Sequence, residues 1–156
     1  MGVLLFLLVA AATVAAMEAV AWAVHKYIMH GPGWAWHRSH HRPRQGTFEK
    51  NDLYALVFAG LSLLLFTLAD AWWPLRAIAV GTAVYGLLYT LFHDGLVHRR
   101  LPFFPAPRRG YLKRLVQAHR IHHAVAEREG AVSFGFLYAP SPRKLKRELG
   151  GKRAAR

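Results

Sequence analysis

Hydrophobic and polar residues are separated along this chain into long blocks rather than mixed within short ones. Residues 3–24 and 53–92 are apolar almost throughout, and their only charged side chains are Glu18, Asp70 and Arg76. Both blocks lack the polar stripe of a helix on a protein surface, so they predict helices that are apolar on every side. About 20 such residues cross a bilayer, and we interpret both blocks as membrane-spanning.

The second block is too long for one crossing and is interrupted at residues 72–76, whose sequence is Trp-Trp-Pro-Leu-Arg. Tryptophan is enriched at membrane interfaces and proline breaks helices, so this pentapeptide predicts a tight turn at the membrane surface. We therefore expect an all-α integral membrane protein with about three transmembrane helices, roughly at residues 3–24, 53–72 and 75–92.

The first block has an alternative interpretation as a secretory signal peptide, because Ala19-x-Ala21 and Ala21-x-Ala23 resemble cleavage sites. A membrane-spanning helix is favoured for two reasons. No basic residue precedes the run, and the run is longer than the roughly 7–15 apolar residues of a signal peptide.

Basic residues are distributed unevenly, since 20 of the 21 lysines and arginines lie within residues 25–52 or after residue 92. These regions are expected to face the cytoplasm from the inner membrane and to contain cytoplasmic helices. We divide the chain into one membrane-embedded domain, residues 1–140, and a basic tail, residues 141–156, whose low apolar content predicts flexibility. The net charge of +13 suits anionic lipid headgroups, and no nucleic-acid partner is expected because no recognition fold accompanies it.

Candidate chemistry is concentrated in ten histidines, which fall into four clusters within the two basic regions. The clusters are His25 and His30; His37, His40 and His41; His93 and His98; and His119, His122 and His123. Imidazole is the commonest metal-ligating side chain, and ten exceed the four to six ligands that one ion accepts. We therefore expect all ten to form one centre with two metal ions on the cytoplasmic side.

The spacing within the clusters suggests how they are presented. His-x2-His-His places three side chains on one face of a helix. Histidines five residues apart lie about 140° apart on a regular helix, so one member of each such pair is expected where its helix ends. A b-type haem is the competing interpretation, but two axial histidines per haem would leave most of the ten unexplained.

Acidic residues near the clusters are candidates for hydrogen bonds that orient the imidazole rings. We expect this role for Glu49, Asp52 and Asp94. Asp52 has an equally good alternative role as the N-cap of the second span, because it immediately precedes the apolar block. No catalytic side chain is expected beyond the metal centre itself.

Aromatic residues flank the histidine clusters and are candidates for contacts with an apolar substrate. They are Tyr27, Trp34, Trp36, Phe134, Phe136 and Tyr138. Such rings also accumulate at any membrane interface, so both explanations remain open. The apolar run at residues 132–139 is too short to span; we expect a membrane-associated segment that lines a substrate tunnel, and the alternative is a buried strand or helix.

Three stretches carry a resemblance to a known family: HKYIMHGPGWAWHRSHHRPRQGTFEKNDLYALVFA, YGLLYTLFHDGLVHRRLPF and PRRGYLKRLVQAHRIHHAVAEREGAVSFGFLYAP. With their four histidine clusters, they closely resemble the bacterial β-carotene hydroxylases of the fatty acid hydroxylase and sterol desaturase superfamily. The resemblance implies a monooxygenase with two non-haem iron ions that uses O2. It implies hydroxylation at C3 of each β-ionone ring, which converts β-carotene to β-cryptoxanthin and then to zeaxanthin.

Electrons for this chemistry must come from a separate protein, because the chain has no cysteine for an iron–sulfur cluster and no Gly-x-Gly-x-x-Gly loop. An acidic ferredoxin is the expected donor, drawn to a basic face. The candidate residues of that face are Arg99, Arg100, Arg108, Arg109, Lys113 and Arg114. The sequence leaves open a relative with other regiochemistry or another lipid substrate, such as a carotenoid ketolase or a fatty-acid or sterol hydroxylase. A non-enzymatic membrane metal or haem protein is the remaining alternative.

Overall fold

The computed structural model describes residues 2–43, 46–70 and 72–154, and within these ranges it contains helices and no strands. The α-helices are α1 (Val3–Ala23), α2 (Trp34–His37), α3 (Asp52–Leu68), α4 (Trp73–Tyr89), α5 (Gly110–His123) and α6 (Pro142–Ala154). Two π-helical segments, Val24–Met29 and Thr90–Val97, continue α1 and α4 without a break. The predicted all-α class is therefore confirmed.

Two continuous helices are long and apolar enough to cross a membrane, Val3–Met29 with 27 residues and Trp73–Val97 with 25 residues. α3 is also apolar, but its 17 residues rise only about 26 Å, less than the roughly 30 Å of a bilayer core. Large apolar side chains of α1 are exposed, including Val3 and Leu4, as expected for a helix surrounded by lipid. The described residues thus contain two membrane-capable helices, and the third span stays a prediction.

The break between α3 and α4 lies earlier than the turn predicted at residues 72–76. α3 ends at Leu68 and α4 begins at Trp73, with Pro74 in its first turn. Proline is tolerated there because the first N–H groups of a helix have no partner within the helix. The pentapeptide therefore begins the next helix rather than forming the turn.

α1 and α4 pack at very short range around Gly81. A Cβ added at Gly81 would lie 2.6 Å from the Ala10 carbonyl oxygen and 2.6 Å from the Thr13 Cβ, so only glycine fits. Small residues allow this close approach between membrane helices. The packing makes α1 an integral part of the bundle and carries His25 into its interior, which argues against a cleavable signal peptide.

The two π-helical segments explain the five-residue histidine spacing. The His30 N–H donates to the His25 carbonyl, and the His98 N–H donates to the His93 carbonyl, at 3.0 Å each. These are the i to i+5 hydrogen bonds of a π-helix, whose wider turn brings residues five apart towards the same side. His30 and His98 are the C-cap residues that immediately follow these segments, in line with the expectation that one member of each pair lies where its helix ends.

The chain after α5 is folded back against it. Residues 131–141 are irregular, neither strand nor helix, although Val132, Phe136 and Ala139 are buried. The buried strand or helix considered for residues 132–139 is therefore not what the structure contains.

The basic tail differs from the expectation of flexibility, because Pro142–Ala154 forms α6. Leu145 and Leu149 are buried against residues of α5 and of the loop that follows it. Leucines four residues apart lie on one helix face, so this otherwise basic helix has an apolar side. Its Lys152 ammonium also donates to the Ala131 carbonyl at 2.8 Å.

Candidate metal centre

Histidines from all four sequence clusters meet where the two π-helical segments, α2 and α5 come together. Their nitrogen atoms form two groups, within each of which they lie no more than 4.8 Å apart. The first group is His25, His30, His37, His41 and His122, and the second is His40, His93, His98 and His119. Within the described residues, each group thus draws on three of the four clusters, so each forms only when segments far apart in the sequence are brought together.

Hydrogen bonds from Nδ1 orient seven of these rings, all of them towards oxygen acceptors. Four donate to main-chain carbonyls: His25 to Phe134 at 2.9 Å, His30 to Arg128 at 2.7 Å, His41 to Val125 at 2.8 Å and His122 to Val132 at 3.0 Å. Three donate to side chains: His37 to Asn51 at 2.7 Å, His40 to Glu49 at 3.0 Å and His93 to Asp94 at 2.8 Å. Because these oxygens accept, Nδ1 carries the proton and Nε2 carries the lone pair.

The Nε2 atoms face one another inside each group. The distance between them is 3.1 Å for His25 and His37, and 3.2 Å for His40 and His93. Two lone pairs so close together repel unless a cation lies between them. Two nitrogens bound at about 2.1 Å to one metal, and at right angles, lie about 3.0 Å apart. The donor atoms of each group therefore fit a metal ion.

Burial keeps these imidazoles neutral. It lowers the pKa of His37 to about 3 and that of His41 to about 4, with further lowering by neighbouring imidazoles. Burial also lowers the pKa of His40, His119 and His122. A neutral imidazole is the form that binds a metal ion, so these ligands are available at neutral pH.

His123 belongs to neither group but contacts both. Its ring stacks on that of His41 with the centroids 4.4 Å apart, and it lies 4.7 Å from the ring of His40. Its Nε2 is buried and has no hydrogen-bond partner among the described residues. An unpaired buried nitrogen costs about 1–3 kcal/mol, and a metal ion would satisfy it.

Two of the three predicted acidic residues contact histidines of the second group. Glu49 accepts from His40, and Asp94 accepts from His93, as expected for residues that orient imidazole rings. Both histidines are almost fully buried, whereas each carboxylate is partly accessible. The second group therefore has two carboxylates bonded to its imidazoles, on the side away from the Nε2 atoms.

Asp52 lies in the first turn of α3 rather than at the N-cap and forms an ion pair with Arg100. Two guanidinium N–H groups of Arg100 donate to its carboxylate oxygens at 2.6 and 2.7 Å. Arg100 also lies 3.8 Å from Asp94, so it links α3 to the residue behind His93. The sequence predicts Arg100 as part of a docking face for an electron donor, but in the structure its guanidinium is engaged with these acids.

Asn51, at the N-cap of α3, orients a histidine of the first group and was missed from the sequence. Its side-chain oxygen accepts from His37, and the residue is only 4% exposed. The sequence favours the neighbouring Asp52 for this role, because carboxylates are common hydrogen-bond partners of metal-bound imidazole. The only signal for Asn51 was its position between the second histidine cluster and the apolar block.

Three of the six predicted aromatic residues lie against the histidines. Trp34 and Phe134 each have their ring centroid 5.2 Å from that of His30, and Phe136 stacks on His25 at 5.0 Å. The other three have exposed side chains and lie away from the centre: Tyr27, Trp36 and Tyr138.

An apolar cavity of about 550 Å³ lies between α1, α3 and α4, next to the histidines. Phe136 is the only one of the six predicted aromatic residues that lines it. Tyr89 lines it too, and its ring stacks on that of His93 at 4.4 Å. Phe136 and Tyr89 thus separate the cavity from one histidine of each group. Tyr89 could not be singled out beforehand, since an aromatic residue inside an apolar span carries no distinct signal.

Comparison with known proteins gives consistent matches over most of the chain. A beta-carotene hydroxylase of Pantoea ananas is 60% identical over 145 residues, which cover 92% of this chain and 83% of the relative. A beta-carotene hydroxylase of Paracoccus sp. (strain PC1) is 58% identical over 144 residues, 91% of this chain and 89% of the relative. A chloroplastic beta-carotene 3-hydroxylase of Haematococcus lacustris is 39% identical and covers 80% of this chain but 40% of the relative.

No solved structure matches the chain. The profile of the fatty acid hydroxylase family matches residues 10–140, a range that contains all ten histidines, most of the first membrane-capable helix and all of the second. On this match the chain belongs to the fatty acid hydroxylase family.

Proposed function

We propose that this chain is a membrane-bound monooxygenase that hydroxylates β-carotene. The observation that carries the proposal is the position of two metal-binding histidine groups directly behind an apolar cavity between apolar helices. Relatives with 56% to 61% identity share the name beta-carotene hydroxylase. A hydrocarbon has no polar or acidic group on which acid–base catalysis could act, so a redox-active metal is the appropriate cofactor.

We propose two non-haem iron ions as the resident metals and O2 as the co-substrate. Bound iron would supply the activation of O2 and the insertion of one oxygen atom into a C–H bond, which zinc cannot do. The ten histidines would hold the ions through nitrogen, nine in the two groups and His123 beside both. The imidazoles are neutral, so Glu49 and Asp94 would offset part of the positive charge.

The cavity is proposed to receive one end of the carotenoid directly from the bilayer. Leu56, Leu63 and Leu87 line the cavity and are also exposed on the outer surface, so its rim reaches the lipid-facing side. The β-ionone ring would lie against Phe136 and Tyr89, whose apolar faces keep water from the histidines. Trp34 and Phe134 would support the binding site by packing on the imidazole rings. The exposed residues Tyr27, Trp36 and Tyr138 would contact the carotenoid at the rim of the cavity or the lipid at the membrane interface.

The proposed position of attack is C3 of the ring. C4 is allylic and has the weaker C–H bond, so an unselective oxidant would favour C4. Selecting C3 requires that the cavity hold the ring in one orientation, and an error near 1 Å can cost on the order of 100-fold in rate. The expected products are β-cryptoxanthin, hydroxylated on one ring, and zeaxanthin, hydroxylated on both.

We propose that the protein lies in the inner membrane with α3 as a third, shorter span and the histidines on the cytoplasmic side. The basic residues around α5 would then face the cytoplasm, where a ferredoxin-type donor could bind by charge complementarity. The exposed basic residues proposed to contact this donor are Arg99, Arg108, Arg109, Lys113 and Arg114.

The proposal is tested by expressing the chain in a bacterium that accumulates β-carotene and analysing the pigments by chromatography. We expect zeaxanthin with some β-cryptoxanthin. His40→Ala and His122→Ala, one from each group, should abolish both products while the protein still inserts into the membrane. Unchanged β-carotene despite iron loading and a competent ferredoxin, or mainly 4-keto products such as canthaxanthin, would contradict the proposal.

A further inference from the structure

Glu18, in the C-terminal third of α1, binds the main chain of the irregular segment that follows α5. Its carboxylate oxygens accept from the N–H groups of Phe136 at 2.9 Å, Leu137 at 3.1 Å and Tyr138 at 2.9 Å. The Tyr85 hydroxyl of α4 donates to the same carboxylate at 2.8 Å. One acidic side chain inside an apolar helix thus satisfies three consecutive backbone donors, and we call this arrangement the Glu18 cradle.

The cradle has a strict steric requirement at Gly135. A Cβ added there would lie 2.8 Å from the Glu18 carboxylate and 2.8 Å from the Tyr138 carbonyl oxygen. Real Cβ atoms essentially never approach other atoms so closely, so a side chain at this position would displace the carboxylate or the turn. Gly135 and Glu18 are therefore two independent parts of one arrangement, supplied by residues far apart in the sequence.

The segment held by the cradle is part of the metal centre's surroundings. Just before the cradle, the Phe134 carbonyl accepts from His25, and the Val132 carbonyl accepts from His122. Within it, the Phe136 ring stacks on His25 at 5.0 Å, with an interplanar angle of 10°. The position of this short segment therefore sets the orientation of imidazoles and the wall of the cavity together.

Phe136 connects the two histidine groups at the cavity wall. Besides stacking on His25 of the first group, it lies edge-on to His93 of the second at 5.2 Å. Its other neighbour is Tyr89, edge-on at 4.9 Å, which also lines the cavity. A shift of the Phe136 backbone would thus move the surface against which a bound ring rests.

We propose that Glu18 is a positioning and specificity-determining residue, which holds Phe136 in place through the 136–138 backbone and so decides which ring carbon faces the metals. The inference rests on the proposed carotenoid hydroxylation. Glu18 bonds the Tyr85 hydroxyl and the Phe136 N–H, and both of these residues line the cavity. It thus acts through the backbone, and among the described residues its hydrogen-bond partners include no histidine. Its replacement should therefore alter rate and product position more than metal content.

The variants follow from the hydrogen bonds. Glu18→Gln keeps the size of the side chain but replaces one acceptor oxygen by an N–H₂ group that faces backbone donors. Gly135→Ala leaves the carboxylate intact and disturbs the cradle from the opposite side. Glu18→Asp keeps both acceptors on a shorter stem and should restore part of the function. Asp70→Asn is the matched control, because the Asp70 side chain is 92% exposed.

The first measurement is hydrogen–deuterium exchange of full-length protein in detergent, followed in peptides that cover residues 132–139. We expect faster exchange at residues 136–138 in Glu18→Gln and Gly135→Ala, and unchanged exchange in Asp70→Asn. Unchanged exchange in both cradle variants would overturn the proposal. If Glu18→Gln does not accumulate in the membrane, Gly135→Ala and Tyr85→Phe supply the same comparison.

The second measurement is metal content together with the carotenoid products made in cells that accumulate β-carotene. We expect Glu18→Gln and Gly135→Ala to retain metal, to lose at least about 10-fold in C3 hydroxylation and to release C4-oxygenated rings. Wild-type rate and product pattern, or loss of activity that merely follows loss of metal, would overturn a positioning role. If the wild-type chain itself makes no hydroxylated carotenoid, the proposed function fails, while the exchange measurement still decides whether the cradle holds the segment.

Discussion

Replacing Asn51 by alanine should weaken metal binding at the first histidine group, although Asn51 contacts no metal-facing nitrogen. Its side-chain oxygen is the acceptor that holds His37 with the proton on Nδ1 and the lone pair on Nε2. In Asn51→Ala this buried N–H loses its acceptor, and the ring is no longer restricted to one orientation. His37 stands 3.1 Å from His25 and 3.2 Å from His41, measured between Nε2 atoms, so the change reaches the centre of the group.

The magnitude follows from the burial of both partners, since Asn51 is 4% and His37 is 2% exposed. Leaving a buried donor unsatisfied costs about 1–3 kcal/mol. If the metal-bound form bears that cost, affinity falls by roughly 5- to 150-fold, a range that includes the 10- to 100-fold typical of residues behind metal ligands. Asn51→Asp keeps an acceptor oxygen in the same place and should bind metal about as well as the wild type.

The assay is the metal content of purified protein after dialysis against a graded series of chelator concentrations. Thr67→Ala is the matched control, because Thr67 is an exposed polar residue on the same helix and bonds only its own helix backbone. Asn51→Ala should lose metal at about a tenth of the chelator concentration that the control tolerates, or less. Equal retention by Asn51→Ala and Thr67→Ala, or an equal loss in Asn51→Asp, would refute the reasoning.

Three further predictions concern the surroundings of the centre. His123→Ala should lower the metal-to-protein ratio, because the buried Nε2 has no hydrogen-bond partner within the described part of the chain; an unchanged ratio would exclude a ligand role. Arg100→Lys should lower the thermal midpoint in detergent almost as much as Arg100→Met, because an ammonium cannot reproduce the two-point contact with Asp52; full rescue by lysine would count against this. Metal-depleted protein should lose thermal stability as the pH falls below about 6.5 and towards 4, since folded His37 and His41 resist protonation that the unfolded chain accepts. A thermal midpoint that rises as the pH falls over this range would contradict the prediction.

The features of this fold that can be predicted from the sequence are those marked by residues close together in the chain. Uniform apolar blocks predict spans because lipid surrounds a helix on all sides. Four clusters that contain every histidine predict a shared metal centre, since isolated core histidines would be scattered. The two five-residue spacings pointed to irregular helix ends, and the structure has π-helical turns there.

The parts that could not be reached depend on contacts between distant residues. The segment around Phe136 is neither strand nor helix because its backbone donors bind Glu18, more than a hundred residues earlier. Asn51 and Tyr89 gain their roles from histidines that fold against them, and neither residue type marks a site by itself. Helix α6 did have a local signal, Leu145 and Leu149 four residues apart, but the basic composition of the tail outweighed it.

The two histidine groups differ in the acceptors of their Nδ1 hydrogen bonds, and this difference affects the electronic properties of the ligands. In the first group, every described Nδ1 acceptor is neutral, either a main-chain carbonyl or the Asn51 amide. In the second group, His40 and His93 donate to the carboxylates of Glu49 and Asp94. A carboxylate draws the Nδ1 proton more strongly and makes the imidazole a more basic ligand. The metal of the second group should therefore receive more electron density than that of the first.

With iron bound, Mössbauer spectra of ⁵⁷Fe-loaded protein should show two quadrupole doublets of about equal area rather than one. Glu49→Gln should shift one doublet and leave the other in place, because the amide oxygen is a weaker acceptor and Glu49 bonds His40 of the second group. Thr67→Ala, exposed on α3, should shift neither. A single doublet in the wild type would mean that the two metal environments are equivalent. Equal shifts of both doublets in Glu49→Gln would mean that the acidic residues act through the overall field and not through individual imidazoles.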